Sequence, residues 1–171
     1  MIEDVNSPAS PPQPPPEAAY SAYPTLEDLA ALLPQYEMHE VIGVGGMGAV
    51  YKGRQTALDR WVAIKVLPAV ASQNLEDTQR FIKEARAMAR LVHPHIVAVF
   101  DFGQTYAGHL YLVMEYVEGS DLHRRTRAQE VTPQRAREVI AQLCDALQFA
   151  HDHGVAHRDI KPANILITQN T

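Results

Sequence analysis

Three places in this sequence hold residues that could handle phosphates or protons. The first is IGVGGMGAV, residues 42–50, in which Gly43, Gly45 and Gly48 keep G-x-G-x-x-G spacing. Glycines let a backbone turn without steric cost and approach phosphates closely. A hairpin turn with spare glycines accounts for them equally well. The second is Lys65, at the end of the apolar run Val62-Ala63-Ile64. Such a lysine is ordinarily an edge residue reaching water, and it becomes informative only with a partner. Glu84, on a predicted helix between Phe81 and Met88, can point toward the sheet, although helix carboxylates are common. A Lys65–Glu84 ion pair would hold the ammonium where it meets nucleotide phosphates. The third and strongest segment is HGVAHRDIKPANILI, residues 153–167.

The elements that must position these residues follow from periodicity. Tyr36–Gly43, Gly48–Gln55 and Arg60–Leu67 are short runs rich in Val, Ile, Tyr and Trp, broken by Gly or Leu-Asp, and read as strands. The glycines therefore lie between two strands. In a dinucleotide-binding fold they lie between a strand and a helix, which argues against that fold. Leu75–Leu91 reads as a helix. Phe81, Ala85, Met88 and Ala89 share one face, and the HPH at 93–95 ends it. Val97–Phe102 and His109–Tyr116 return to strand. Thr132-Pro133 is an N-cap followed by proline at the first helical position, opening a long helix whose buried face holds Val139, Ile140, Leu143, Ala146, Leu147 and Ala150.

Upstream, eight of the 12 prolines fall in residues 1–34. Residues 1–24 read as a disordered proline-rich arm with almost nothing to bury. Residues 25–35 read as a short lead-in helix, with Thr25 as N-cap, Leu26, Leu29, Ala30 and Leu33 at helical spacing, and Pro34 as the stop.

Composition narrows the function classes. The chain has 171 residues, 46% hydrophobic and 20% charged, which suits a soluble globular domain plus a tail. Residues 1–34 hold five acids and no Lys or Arg, so the net charge of −5 sits there and residues 35–171 are balanced. A balanced domain offers no field for nucleic acid or a membrane surface. The single cysteine, Cys144, excludes a disulfide scaffold and a cysteine-built metal site. No apolar run reaches the ~18–20 residues that cross a bilayer, and the N-terminus lacks a signal-peptide pattern. The expected setting is cytoplasmic.

Taken together, GVGGMGAV, VAIK (62–65), YLVMEYVEG (111–119) and HRDIKPAN (157–164) resemble, in order and spacing, the glycine-rich loop, third-strand lysine, hinge and catalytic loop of protein kinases. Specifically, the chain resembles the eukaryotic-like Ser/Thr kinases of bacteria. The resemblance implies an α+β kinase-like fold over 36–171. A five-stranded antiparallel N-lobe would span 36–116, a hinge 114–119, and the start of a helical C-lobe 120–171. It implies ATP and Mg²⁺ as cofactors and a protein with Ser/Thr acceptors as partner. ATP would be held by Ile42, Gly43, Val44, Gly45, Gly46, Met47, Gly48, Ala49, Val50, Ala63, Lys65, Glu115, Val117, Asp121 and Leu166. Val50 and Ala63 would cover one adenine face and Leu166 the other, with Met114 as gatekeeper and Asp121 reaching the ribose. Asp159 would position the substrate hydroxyl and accept its proton. Lys161 would steady the phosphoryl charge, Asn164 would bind magnesium, and Lys65 and Glu84 would form the ion pair. Arg158 would meet a phosphorylated activation loop, and His157 would support packing.

Two features could mislead. Asp101-Phe102-Gly103 spells the family's magnesium-binding triplet but precedes the hinge, so it is expected to be the end of the fourth strand and its turn, without a metal role. His93, His95, His151, His153 and His157 lack convincing metal-site spacing. The resemblance stops at residue 171, and in the family the metal-binding DFG and activation segment come after the catalytic loop. A chain of these 171 residues alone is expected to be inactive and poorly folded. The alternatives are a pseudokinase, which the intact Lys65, Glu84, Asp159 and Asn164 disfavour, and a non-catalytic nucleotide-binding piece, the reading that suits these 171 residues taken alone.

Overall fold

Thr25 starts the first helix by a reciprocal cap. Its hydroxyl accepts from the Asp28 amide while the Asp28 carboxylate accepts from the Thr25 amide. The structure, a computed structural model, describes residues 23–45, 48–68 and 75–168. The capped helix, α1, covers Leu26–Leu32 and is followed by three strands, β1 (Tyr36–Gly45), β2 (Gly48–Gln55) and β3 (Arg60–Val66). Helix α2 (Leu75–Met88) separates these from β4 (Val99–Gln104) and β5 (Leu110–Glu115). A short strand β6 (Gly119–Asp121), helices α3 (Leu122–Arg127) and α4 (Pro133–Asp152), a 3₁₀ turn (Pro162–Asn164) and strand β7 (Leu166–Thr168) complete the described chain.

The five strands form one antiparallel sheet in the order β1-β2-β3-β5-β4, with α2 packed against β4. The expected α+β architecture is thus borne out. Strand alternation divides the sheet into two faces. Ala49, Tyr51, Val62, Ile64, Val66 and Val113 turn to the back, where Leu29 and Leu33 from the α1 segment and Tyr36 complete a buried cluster. Val50, Ala63, Lys65, Leu112 and Met114 take the opposite, front face: Val50 pairs with Lys65, Lys65 with Leu112, and Ala63 with Met114. Helix α1 is therefore the back cover of the sheet.

Several boundaries differ from expectation. Helix α2 ends at Met88 rather than Leu91, because residues 89–91 tighten into a 3₁₀-type turn, with Leu91 N–H donating to the Met88 carbonyl. Strand β4 starts at Val99, two residues late, after a turn in which Ile96 donates to the His93 carbonyl. The Asp101-Phe102-Gly103 triplet consequently sits inside the strand, and the turn falls at Thr105–His109. The proline-rich arm lies outside the described residues except for Tyr23 and Pro24, and those two are packed on the fold.

Strand β6 pairs with β7 so closely that a Cβ at Gly119 would collide with the Ile167 carbonyl. Only glycine fits there.

Candidate active site

The front face of the sheet sets the upper wall. Gly48 adopts φ +137, a conformation side chains rarely take, and a Cβ there would lie 2.6 Å from the Val66 carbonyl and 3.4 Å from Lys65 Cε. The glycine thus brings the loop's exit strand down onto the stem of Lys65. Among the described residues, nothing lies within 4 Å of where a Cβ would stand at Gly43 or Gly45, so their sides of the loop are open to them. Gly46 and Met47 lie outside the described residues. Ile42 is exposed in β1 and Val50 is half-buried in β2 opposite Gly43, whereas Val44, expected at the ATP site, pairs with buried Ala49 and packs against the back cluster instead.

Strands β6 and β7 form a second, two-stranded sheet, in which Asp121 stands opposite Leu166. Leu166 is exposed and Ile167 is buried beneath it. At the end of β5, ahead of β6, the Glu115 amide donates to the Ala98 carbonyl at 2.9 Å, which leaves the Glu115 carbonyl as the backbone group it could offer a ligand. Val117 follows in the irregular stretch that leads to β6.

The HRDIKPAN loop gathers its polar groups around one carboxylate. Asp159 Oδ2 accepts from Lys161 Nζ at 2.8 Å and from Asn164 Nδ2 at 2.9 Å, and the same amide donates to the Asp159 carbonyl at 2.9 Å. These bonds favour the charged form, and Lys161, then Asn164, holds the carboxyl below its ordinary value of 3.8. Oδ1 makes none of these bonds. The chain reaches this geometry through Arg158, whose φ of 62 is left-handed, a conformation uncommon outside glycine. It turns the backbone between His157 and Asp159, and the Asp159 amide donates to the His157 carbonyl.

Because the folded carboxyl titrates below its unfolded value, its contribution to stability is present above the unfolded value and is lost as pH falls through the folded one. Lys161→Met removes the largest cause. The Asp159 titration, followed by carboxyl-carbon NMR, is expected to move upward toward the ordinary carboxylate range, and an unchanged midpoint would show that Lys161 does not govern it.

Other residues stand apart. Glu84 is exposed on α2, and no ion pair joins it to half-buried Lys65 among the described residues. The helix periodicity placed Glu84 beside Phe81 and Met88, but Ala85 is the residue that α2 buries. The Asp121 carboxylate caps α3, accepting from the Arg124 amide at 2.9 Å. Asp101 accepts from the Tyr36 hydroxyl at 3.2 Å in β4, on the strand edge of the sheet. Sequence reasoning missed a tie between the two halves. His93 Nε2 lies 3.1 Å from Asp145 Oδ2 on α4, and His95, His93, Phe149 and His153 form a run of ring contacts. The signal was available in the His-Pro-His spacing, but its partner on α4 was not.

A family described as protein kinase domain matches residues 36–171. The chain belongs to the protein kinase family. Among curated relatives of this kinase domain, serine/threonine-protein kinase PknB of Mycolicibacterium smegmatis is 46% identical over 143 residues, 81% of this chain and 23% of that protein. PknB of Mycobacterium tuberculosis is 48% identical over 141 residues, 80% of this chain and 22% of that protein. The chain thus spans less than a quarter of the relatives it matches. The crystal structure of the M. tuberculosis PknI kinase domain is similar with a TM-score of 0.71 at 33% identity, covering 80% of this chain and 56% of that one.

The donor set of this kinase domain fits a nucleotide with a hard cation. The Asn164 amide nitrogen is spent on Asp159, which turns its oxygen into the available atom, and oxygen is what Mg²⁺ prefers. Lys65 is a half-buried cation on the same face as Val50 and Ala63.

Proposed function

We propose that this chain is the nucleotide-binding and catalytic-loop portion of a protein serine/threonine kinase, which transfers the γ-phosphoryl group of ATP to Ser or Thr hydroxyls of a protein. The observation that carries the reading is the Asp159 carboxylate, kept charged by Lys161 and Asn164 with Oδ1 uncommitted.

In this reading the adenine lies between Val50 and Ala63 above and Leu166 below, with its edge on the backbone of Glu115 and Val117. Residues 42–50 cover the phosphates, and Lys65 meets their charge. Bound magnesium, with Asn164 as an oxygen ligand, would offset phosphate charge. Asp159 Oδ1 orients the acceptor hydroxyl. As the hydroxyl oxygen bonds to the γ-phosphorus, the bond to the bridging oxygen breaks and ADP leaves. The hydroxyl proton passes to Asp159, and Lys161 compensates the charge on the moving phosphoryl group. This is mostly positioning and electrostatics, as phosphoryl transfer requires. The Lys65–Glu84 pair needs α2 placed differently from here. The cytoplasm, where ATP is available, is the setting this reading requires.

The test is incubation of the intact protein with γ-labelled ATP, Mg²⁺ and a generic basic protein. Label is expected on serine and threonine and not on tyrosine. An absence of protein labelling under conditions where the protein is folded would refute the reading.

A further inference from the structure

We propose that Tyr23 is a positioning residue for the glycine-rich loop, acting through a strap formed by Tyr23 and Pro24 just ahead of α1. The inference rests on the reading that this loop covers ATP phosphates. Two hydroxyls cross-tie the strap to the two strands that bear the loop. Tyr23 donates to the Gly45 carbonyl at 2.8 Å, at the end of β1. Tyr51, buried in β2, donates in the opposite sense to the Pro24 carbonyl at 2.7 Å. The strap has a firm base, since Leu29 and Leu33 are sealed into the core and the Tyr23 ring packs against the same cluster.

The loop needs such a support. No described residue packs on the sides of Gly43 and Gly45 that a Cβ would occupy. Glycine also has the most backbone freedom to lose on ordering. A hydrogen bond from outside the loop to the Gly45 carbonyl removes part of that freedom before the ligand arrives, and pre-ordering of this kind appears as affinity. Tyr23 does not meet the adenine wall or the catalytic loop in this arrangement. Its effect is therefore confined to ligands that carry phosphates.

That confinement supplies the test. Tyr23→Phe keeps the ring on the core and deletes only the hydroxyl. Calorimetric titration of the intact protein with ATP–Mg²⁺ and with adenosine separates the phosphate grip from the base pocket. Loss of one net hydrogen bond predicts about three- to tenfold weaker ATP binding, with adenosine binding and melting temperature unchanged. Tyr51→Phe, which cuts the other tie, should weaken ATP in the same direction. Unchanged ATP affinity in Tyr23→Phe, or equal loss for ATP and adenosine, overturns the strap. If the unaltered protein binds ATP no better than adenosine, the nucleotide reading of the loop falls with it. If the unaltered protein does favour ATP, failure of Tyr23→Phe counts against the strap alone.

Discussion

Asp159→Asn in the intact protein is expected to lower phosphoryl transfer by at least about 10²–10³-fold, and Lys65→Met to do the same. The asparagine keeps the shape of the loop but gives up the proton acceptor and the charge that Lys161 and Asn164 converge on. Methionine keeps the stem beneath Gly48 and gives up the ammonium. Both side chains are at least partly exposed, so melting temperature should hardly change and the loss belongs to the chemistry. Asp101→Asn is the control. Asp101 sits in β4 and accepts from Tyr36, and an amide oxygen there can still accept that bond. A comparable loss of transfer from Asp101→Asn at unchanged stability would mean that the early Asp-Phe-Gly triplet has a catalytic role after all.

The largest effect on stability is expected from the back cover. Leu29 is completely buried and Leu33 nearly so, and both close the cluster over Tyr51, Val62, Ile64 and Val113. Leu29→Ala should cost about 2–5 kcal/mol, the range for a buried leucine whose site can only partly collapse. That is a large share of the ~5–15 kcal/mol that holds a typical domain together. Denaturant melts of the two proteins measure it. A loss under about 1 kcal/mol would place Leu29 outside the cooperative core, because surface substitutions usually stay within that size.

The parts of this molecule that could be read from its sequence are those set by local rules. The strands around Gly48 and Lys65 announce themselves by β-branched runs broken at glycine and Leu-Asp, and Thr25 and Thr132 announce their helices by capping. The four kinase-like motifs locate the wall and the catalytic loop because their order survives without any three-dimensional knowledge. Orientation was harder to read. Periodicity says that Glu84, Phe81 and Met88 are neighbours on α2, but not how far the helix is turned toward Lys65. Asp121 looked like a ligand contact, and its helix-capping bond needed the exact start of α3. Helix α1 was legible as a helix, yet nothing local tells that its leucines close the sheet, since that depends on the back face of strands 20 to 80 residues away. The left-handed backbone at Arg158 is equally silent in sequence, because arginine there carries no turn signature.

The contact between His93 and Asp145 also joins two parts of the chain that the order of elements keeps apart. It pins the loop after α2 to α4, so that loop travels with the lower half although the chain order assigns it to the upper half. Any rotation of one half against the other would then fall on the two stretches that cross between them, just before β4 and just after β5. At that crossing the Glu115 amide donates to the Ala98 carbonyl, and the Ala98 amide donates back to Glu115 Oε2 at 3.4 Å. Two chain crossings tied side by side allow rotation about the line that joins them and resist sliding. Such a rotation would turn like a door on an axle with two pins, one at Ala98 and the other at Glu115.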